Sequence, residues 1–196
     1  MKRVAVYCGS RAGRDPDYKR AAVSLGEEIV SRGMELVYGG GSVGLMGVVA
    51  DTVISLGGRV TGVIPGFLNV REVGHSGLDE LIEVKTMHER KLKMIDLAEG
   101  FVALPGGFGT MEELFEVLAW SQLDLHPHAC GLLNVRGYYD GLLVMLDRMV
   151  EDGFLNPQTR ALLLAEASPV ALLDAMIGWE GKQPGASLGT FLSPRP

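Results

Sequence analysis

Apolar and polar residues alternate along this chain in blocks of two kinds. Short, mostly apolar runs occupy residues 3–8, 34–38, 59–64, 101–104, 129–135 and 162–165, and residues 81–86 read as a further short strand. Runs of this length read as strands covered on both faces. Between them lie longer stretches whose apolar residues return every three or four positions, the spacing of a helix with one buried side. These predict helices over 15–31, 45–56, 88–98, 139–151 and 168–177, and another that begins near Met111 and runs past Trp120. Local signals agree with the periods. Asp15 is placed to cap a helix that has Pro16 at its first position and Gly33 just past its end. Residues 67–77 show no period and are expected to form a loop after Pro65-Gly66.

Strands alternating with helices of this length imply right-handed βαβ units and a mostly parallel sheet. The expected architecture is an α/β, Rossmann-like three-layer sandwich with a doubly wound sheet. Ligands of such sheets bind beyond the carboxyl ends of the strands, near the point where strand order reverses. The chain has 196 residues, 47% of them hydrophobic, enough for one well-buried domain over residues 1–180 and too few for two. Residues 181–196 are rich in Gly, Pro and Ser and read as a mobile tail.

Charge narrows the function. A net charge of −6 argues against general affinity for nucleic acid. Neither a signal peptide nor a membrane span is legible, so no membrane partner is expected. Cys8 and Cys130 sit in apolar runs and read as reduced, buried thiols of a cytoplasmic protein.

The most telling segment is PGGFGTMEE at residues 105–113, between a strand and a helix. Glycines at such a turn let the backbone approach a ligand, and the unpaired N–H groups of the first helical turn favour an anion. Glu112 and Glu113 stand in that same turn. A phosphate cradle beside a carboxylate implies chemistry on a phosphorylated ligand. Either acid is also explained by its favourable interaction with the helix dipole alone.

The run GGGSVG at residues 39–44 satisfies GxGxxG, and within it GGSVG satisfies GxSxG. A dinucleotide fingerprint follows the first strand and needs an acid at the end of the next, and residues 59–64 offer none. A serine hydrolase of the α/β type needs a late histidine, whereas the last here is His128. His88-Glu89 lacks the second His of a zinc motif, since Leu92 stands four residues on. No metal site and no organic cofactor is expected. Arg90 and Lys91 oppose the dipole of the helix they open, a local cost that a ligand or a carboxylate could offset.

Four ordered segments carry a family resemblance: YCGS at 7–10, GGGSVGLMG at 39–47, MHERK at 87–91 and PGGFGTMEE at 105–113. Together they resemble the LOG family, the cytokinin riboside 5′-monophosphate phosphoribohydrolases, whose signature is PGGxGTxxE. Members are often labelled lysine decarboxylases, yet nothing here marks a Lys as a pyridoxal-phosphate anchor. The resemblance implies hydrolysis of the N-glycosidic bond of AMP or a related nucleoside 5′-monophosphate. It assigns catalysis to Glu113 and Arg90, and substrate contact to Lys91, Glu72, Gly107, Phe108, Gly109, Thr110, Met111 and Glu112. Gly41, Ser42 and Gly44 would line the nucleotide site from the other glycine turn. Ala119 departs from the Thr with which plant members touch the ligand. The family forms dimers with sites near the subunit interface, so a homodimer is expected; Trp120-Ser121-Gln122 reads as an exposed packing surface, and Tyr138, Tyr139 and Trp120 as core or interface residues. A non-catalytic nucleotide- or molybdopterin-binding carrier of the same fold would keep the glycine turns without needing both Arg90 and Glu113.

Overall fold

The computed structural model describes residues 1–72 and 74–179, and the side chains of all of these but 70–72. The expected mobile tail at 181–196 lies outside the described residues. Strands β1 (Arg3–Tyr7), β2 (Glu35–Tyr38), β3 (Val60–Pro65), β4 (Glu80–Val84), β5 (Gly100–Ala103), β6 (Ala129–Leu133) and β7 (Leu163–Glu166) form one sheet in the order β4-β3-β2-β1-β5-β6-β7. Every pairing among them is parallel. The chain builds outward from β1 to β4, then returns to lay β5 on the other side of β1, with Ala5 opposite Phe101. The reversal therefore falls between β1 and β5.

Neighbouring residues of a strand face opposite sides, and both sides are apolar. On one side Val4, Val6, Leu36, Tyr38, Val102 and Leu104 pack beneath helices α1 (Pro16–Ser31), α2 (Gly44–Ser55) and α8 (Pro169–Ile177). On the other, Ala5, Tyr7, Val37 and Phe101 meet Met94, Ile95 and Val117, from helices α4 (Met87–Leu97) and α5 (Phe108–Gln122). Ala103 and Leu132 on that same side meet Leu114 of α5 and Leu146 of α6 (Asp140–Glu151). Three layers result, as the pattern predicts.

The caps follow from composition. The Asp15 side chain accepts a hydrogen bond from the Asp17 N–H at 2.9 Å. Thr86 caps α4 through the Glu89 N–H at 3.1 Å, while the Glu89 carboxylate turns back to the Lys85 N–H at 2.9 Å. Reciprocal bonds of this kind satisfy donors at a helix start, and they give Glu89 a structural task.

Several expectations need correction. Residues 66–72 are not a loop: α3 (Gly66–Glu72) is a short helix directly after Pro65. Another short helix, α7 (Pro157–Arg160), is capped by Asn156 and starts with a proline. Ser121 is buried rather than exposed, and Trp120 packs partly on the core.

Candidate active site

At the β1–β5 reversal two adjoining cavities open beyond the strand ends, of about 230 and about 500 Å³. They share Gly9, Ser10 and Gly107. The smaller is walled by Arg90 of α4 and by Thr110 and Glu113 of α5, with Tyr7 and Cys8 from the end of β1. The turns after β1 and β5 are joined by the Gly9 N–H, which donates to the Pro105 carbonyl at 3.1 Å.

Helix α5 starts at Phe108, with Gly107 as a cap that offers no side chain. The first intrahelical bond runs from the Met111 N–H to the Gly107 carbonyl, so the N–H groups of Phe108, Gly109 and Thr110 precede the ladder. A Cβ added at Gly107 or Gly109 would meet nothing within 4 Å, and neither has a positive φ. The protein's own packing therefore requires glycine at neither position, and the space they leave suits a ligand at the helix N-terminus. Gly106 differs, since a Cβ there would stand 2.1 Å from the Thr110 hydroxyl oxygen.

Two tyrosine hydroxyls hold this loop from behind. Tyr139 donates to the Leu104 carbonyl at 2.7 Å and Tyr138 to the Gly106 carbonyl at 2.6 Å. Their position is set by Asn134, whose side chain accepts from the Tyr139 N–H and donates to Asp140, both at 2.7 Å. The sequence reading gave these tyrosines only a core or interface role. Their spacing after a strand end was the available signal.

Arg90 and Glu113 face one another across the cleft, with Nη2 to Oε1 at 4.0 Å. Both are buried, at 6% and 9% exposure. The guanidinium also donates from Nη2 to the Gly39 carbonyl at 3.2 Å, while its Nε is buried without a partner. A buried cation whose donors are only partly engaged is costly unless a ligand completes them. Lys91 points elsewhere. Its ammonium contacts Glu112 and lies 3.1 Å from Glu116, joining α4 to α5 behind Glu113. Glu112 and Glu116, four apart, share a face of α5, and that spacing was a signal for this brace.

The remaining expected contacts are distributed unevenly. Phe108 stands 97% exposed at the mouth of the smaller cavity. Met111 packs toward α6. Gly41, Ser42 and Gly44 line neither cavity; Gly41 bridges to Gly74, and Gly44, at φ +63°, abuts the backbone of Ser10. Gly39 and Met46, just before and after them, do reach the smaller cavity. The side chain of Glu72 lies outside the described residues. Ala119 lines a separate apolar groove between α5, α6 and α7.

Cys8 is no nucleophile here. Burial, with the Glu113 carboxylate adding to it, raises its thiol far above the ordinary range, and the same causes raise the Tyr7 phenol. Burial also pushes the Cys130 thiol up to about 12. Both cysteines are free. Among the described residues no group of His, Cys, Asp and Glu is arranged to hold a metal ion. No helix there is long and apolar enough to cross a membrane.

The open glycines make a checkable prediction. Gly109→Ala should stabilise the helix by about 0.5 kcal/mol or more, since alanine is the better helix former and nothing obstructs its methyl. The methyl would also intrude on the ligand space, raising KM for a phosphorylated substrate. Thermal unfolding and steady-state kinetics together check it; a lower melting temperature with unchanged KM contradicts it.

The sheet is doubly wound, and at its reversal a glycine-open helix N-terminus stands one turn from a buried arginine–carboxylate pair. A family model described as "possible lysine decarboxylase" matches residues 46–176. A cytokinin riboside 5′-monophosphate phosphoribohydrolase of Arabidopsis thaliana is 48% identical over 88% of this chain and 81% of its own. A probable enzyme of the same name from Oryza sativa subsp. japonica is 51% identical over 88% and 76%. The chain belongs to the family of cytokinin riboside 5′-monophosphate phosphoribohydrolases. Among solved structures, the molybdenum cofactor carrier protein of Chlamydomonas reinhardtii superposes with a TM-score of 0.66 at 20% identity, over 91% of this chain and 99% of that one. The molybdenum cofactor binding protein of Rippkaea orientalis gives 0.64 at 18%, over 90% and 98%. These two share the fold.

Proposed function

We propose that this chain is a phosphoribohydrolase that cleaves the N-glycosidic bond of AMP or of cytokinin riboside 5′-monophosphates, giving a free adenine-type base and ribose 5-phosphate. The observation that carries the reading is the placement of Glu113 one helical turn, about 5.4 Å, beyond the open N–H groups of α5. A 5′-phosphate held by Gly107, Phe108, Gly109 and Thr110 would then present its sugar to Glu113 and Arg90. Fixing the remote phosphate orients C1′ for attack.

The chemistry follows from charge. As the C1′–N bond breaks, its electron pair leaves with the base and positive charge grows on the sugar. The Glu113 carboxylate would stabilise that charge and take a proton from the water whose oxygen bonds to C1′; the departing base takes up one proton from solvent, and Glu113 returns its own to solvent. Arg90 would hold the carboxylate and the nucleotide in register. Lys91 and Glu112, joined to one another, would contribute by fixing α4 against α5. The buried thiols and the sequence favour a cytoplasmic setting.

The test is hydrolysis of AMP against adenosine, with free adenine measured. Loss of a dianion's charge-assisted bonds should slow adenosine by roughly 10- to 10²-fold in kcat/KM. Equal rates would remove the phosphate from the assignment. No release of base from either would leave a carrier instead.

The homodimer belongs to the same proposal. Phe115 is exposed in the groove that holds Ala119, and Leu125 after α5, Val144 and Met145 on α6, and Phe154 after α6 are exposed as well. Exposed apolar side chains on neighbouring elements favour association, and a second copy is the expected occupant. Sedimentation should give twice the 21.0 kDa chain mass. Val144→Asp should shift the mass toward one chain; a parent that sediments as a monomer ends the dimer proposal.

A further inference from the structure

Four glycines fall between the end of β2 and the start of α2, at 39, 40, 41 and 44, and three of them are there for different reasons. Gly40 and Gly44 have φ of +78° and +63°, a region that disfavours side chains. Gly39 has no positive φ, so its backbone does not require glycine. What it requires is space: a Cβ at Gly39 would lie 1.8 Å from Arg90 Nη2 and 3.0 Å from Arg90 Cζ. The same residue accepts the Nη2 hydrogen bond through its carbonyl at 3.2 Å. Gly39 thus admits the guanidinium against the backbone and also anchors it there, 4.0 Å from Glu113.

We propose that Gly39 is a positioning residue for catalysis, acting through Arg90; the claim rests on the function proposed above. The atom a methyl would strike is the far end of a flexible side chain, so the fold can yield where the site cannot. The other close neighbour, Met46 Sδ, stands 3.3 Å from the added carbon and need move only slightly. Gly39→Ala should therefore fold normally and lose the register between Arg90 and Glu113.

The experiment has two independent readouts. In AMP hydrolysis, Gly39→Ala should lower kcat by roughly 10²-fold, with a melting temperature within a few degrees of the parent. Placed on Arg90→Ala, the same substitution should cost less than about threefold more, because residues acting through one group are not additive. A crystal structure of Gly39→Ala should show the guanidinium displaced from residue 39 and from Glu113. Full additivity in the double variant, or Arg90 unmoved beside the new methyl, overturns the proposal. If the parent releases no base, the proposed function fails, and the position of Arg90 in the variant still decides whether Gly39 places it.

Discussion

Glu113→Gln should lower turnover of AMP by roughly 10³-fold while leaving the nucleotide bound. The amide keeps the shape of the side chain and removes the charge that an oxocarbenium-like transition state needs. It also cannot accept a proton from water at neutral pH. Both losses fall on the chemical step, and general base and electrostatic contributions are each of order 10² or more. Binding should change little, because the proposed phosphate site lies one turn away, at the backbone N–H groups that open α5. Isothermal titration with AMP and single-turnover release of adenine separate the two effects. Turnover within tenfold of the parent would move the base elsewhere, and Glu112 would be the next residue to test.

Arg90→Ala should cost roughly 10²- to 10³-fold in kcat/KM, and Arg90→Lys nearly as much. The guanidinium is a rigid planar fork: Nη2 lies 3.2 Å from the Gly39 carbonyl and 4.0 Å from Glu113, Nη1 faces Met87 Sδ, and Nε is buried without a partner. A lysine head is a compact point charge on a shorter stem, and it would fall short of the place between Gly39 and Glu113 that Nη2 occupies. Stability provides the control. Arg90 sits in the first turn of α4, where a cation opposes the helix dipole, and it is buried with a donor unpaired. Its removal should leave the melting temperature nearly unchanged or raise it. Retention of most activity in Arg90→Lys would reduce Arg90 to an electrostatic attractor. A fall in melting temperature of ten degrees or more would make it a structural residue.

These two residues show where sequence reading reaches and where it stops. The strands could be read because a parallel sheet buries both faces, so Val4 to Tyr7 or Phe101 to Leu104 stand out as unbroken apolar runs. The long helices could be read from their period and from caps such as Asp15. Helix α3 escaped because seven residues after a proline are too few to display a period. Asn156-Pro157 did signal the start of α7, though its four residues carry no stripe. At the site, the glycine-open start of α5 and the acids in it are local features, and local features are visible in a sequence. That Arg90 meets the carbonyl of Gly39, fifty-one positions away, is not. Nor is the tie between Tyr138 and Gly106, or the turning of Lys91 onto α5. The resemblance named Lys91 as a substrate contact; the structure gives its ammonium two carboxylate partners of the protein's own.

The reversal of strand order also governs when this site can exist. Strands β1 to β4 can assemble as a continuous parallel half from residues 3–84, each laid beside the one before. The cleft needs more, because one wall comes from the end of β1 and the other from the start of α5, brought together when Phe101 docks beside Ala5. Pairing at such separation closes late and slowly, since a long loop must be ordered before any contact rewards it. A chain emerging from the ribosome would thus display Arg90 on α4 before its carboxylate partner had been synthesised. Nucleotide affinity should appear only after the second half has folded onto the first, which makes ligand binding a reporter of complete folding in this protein.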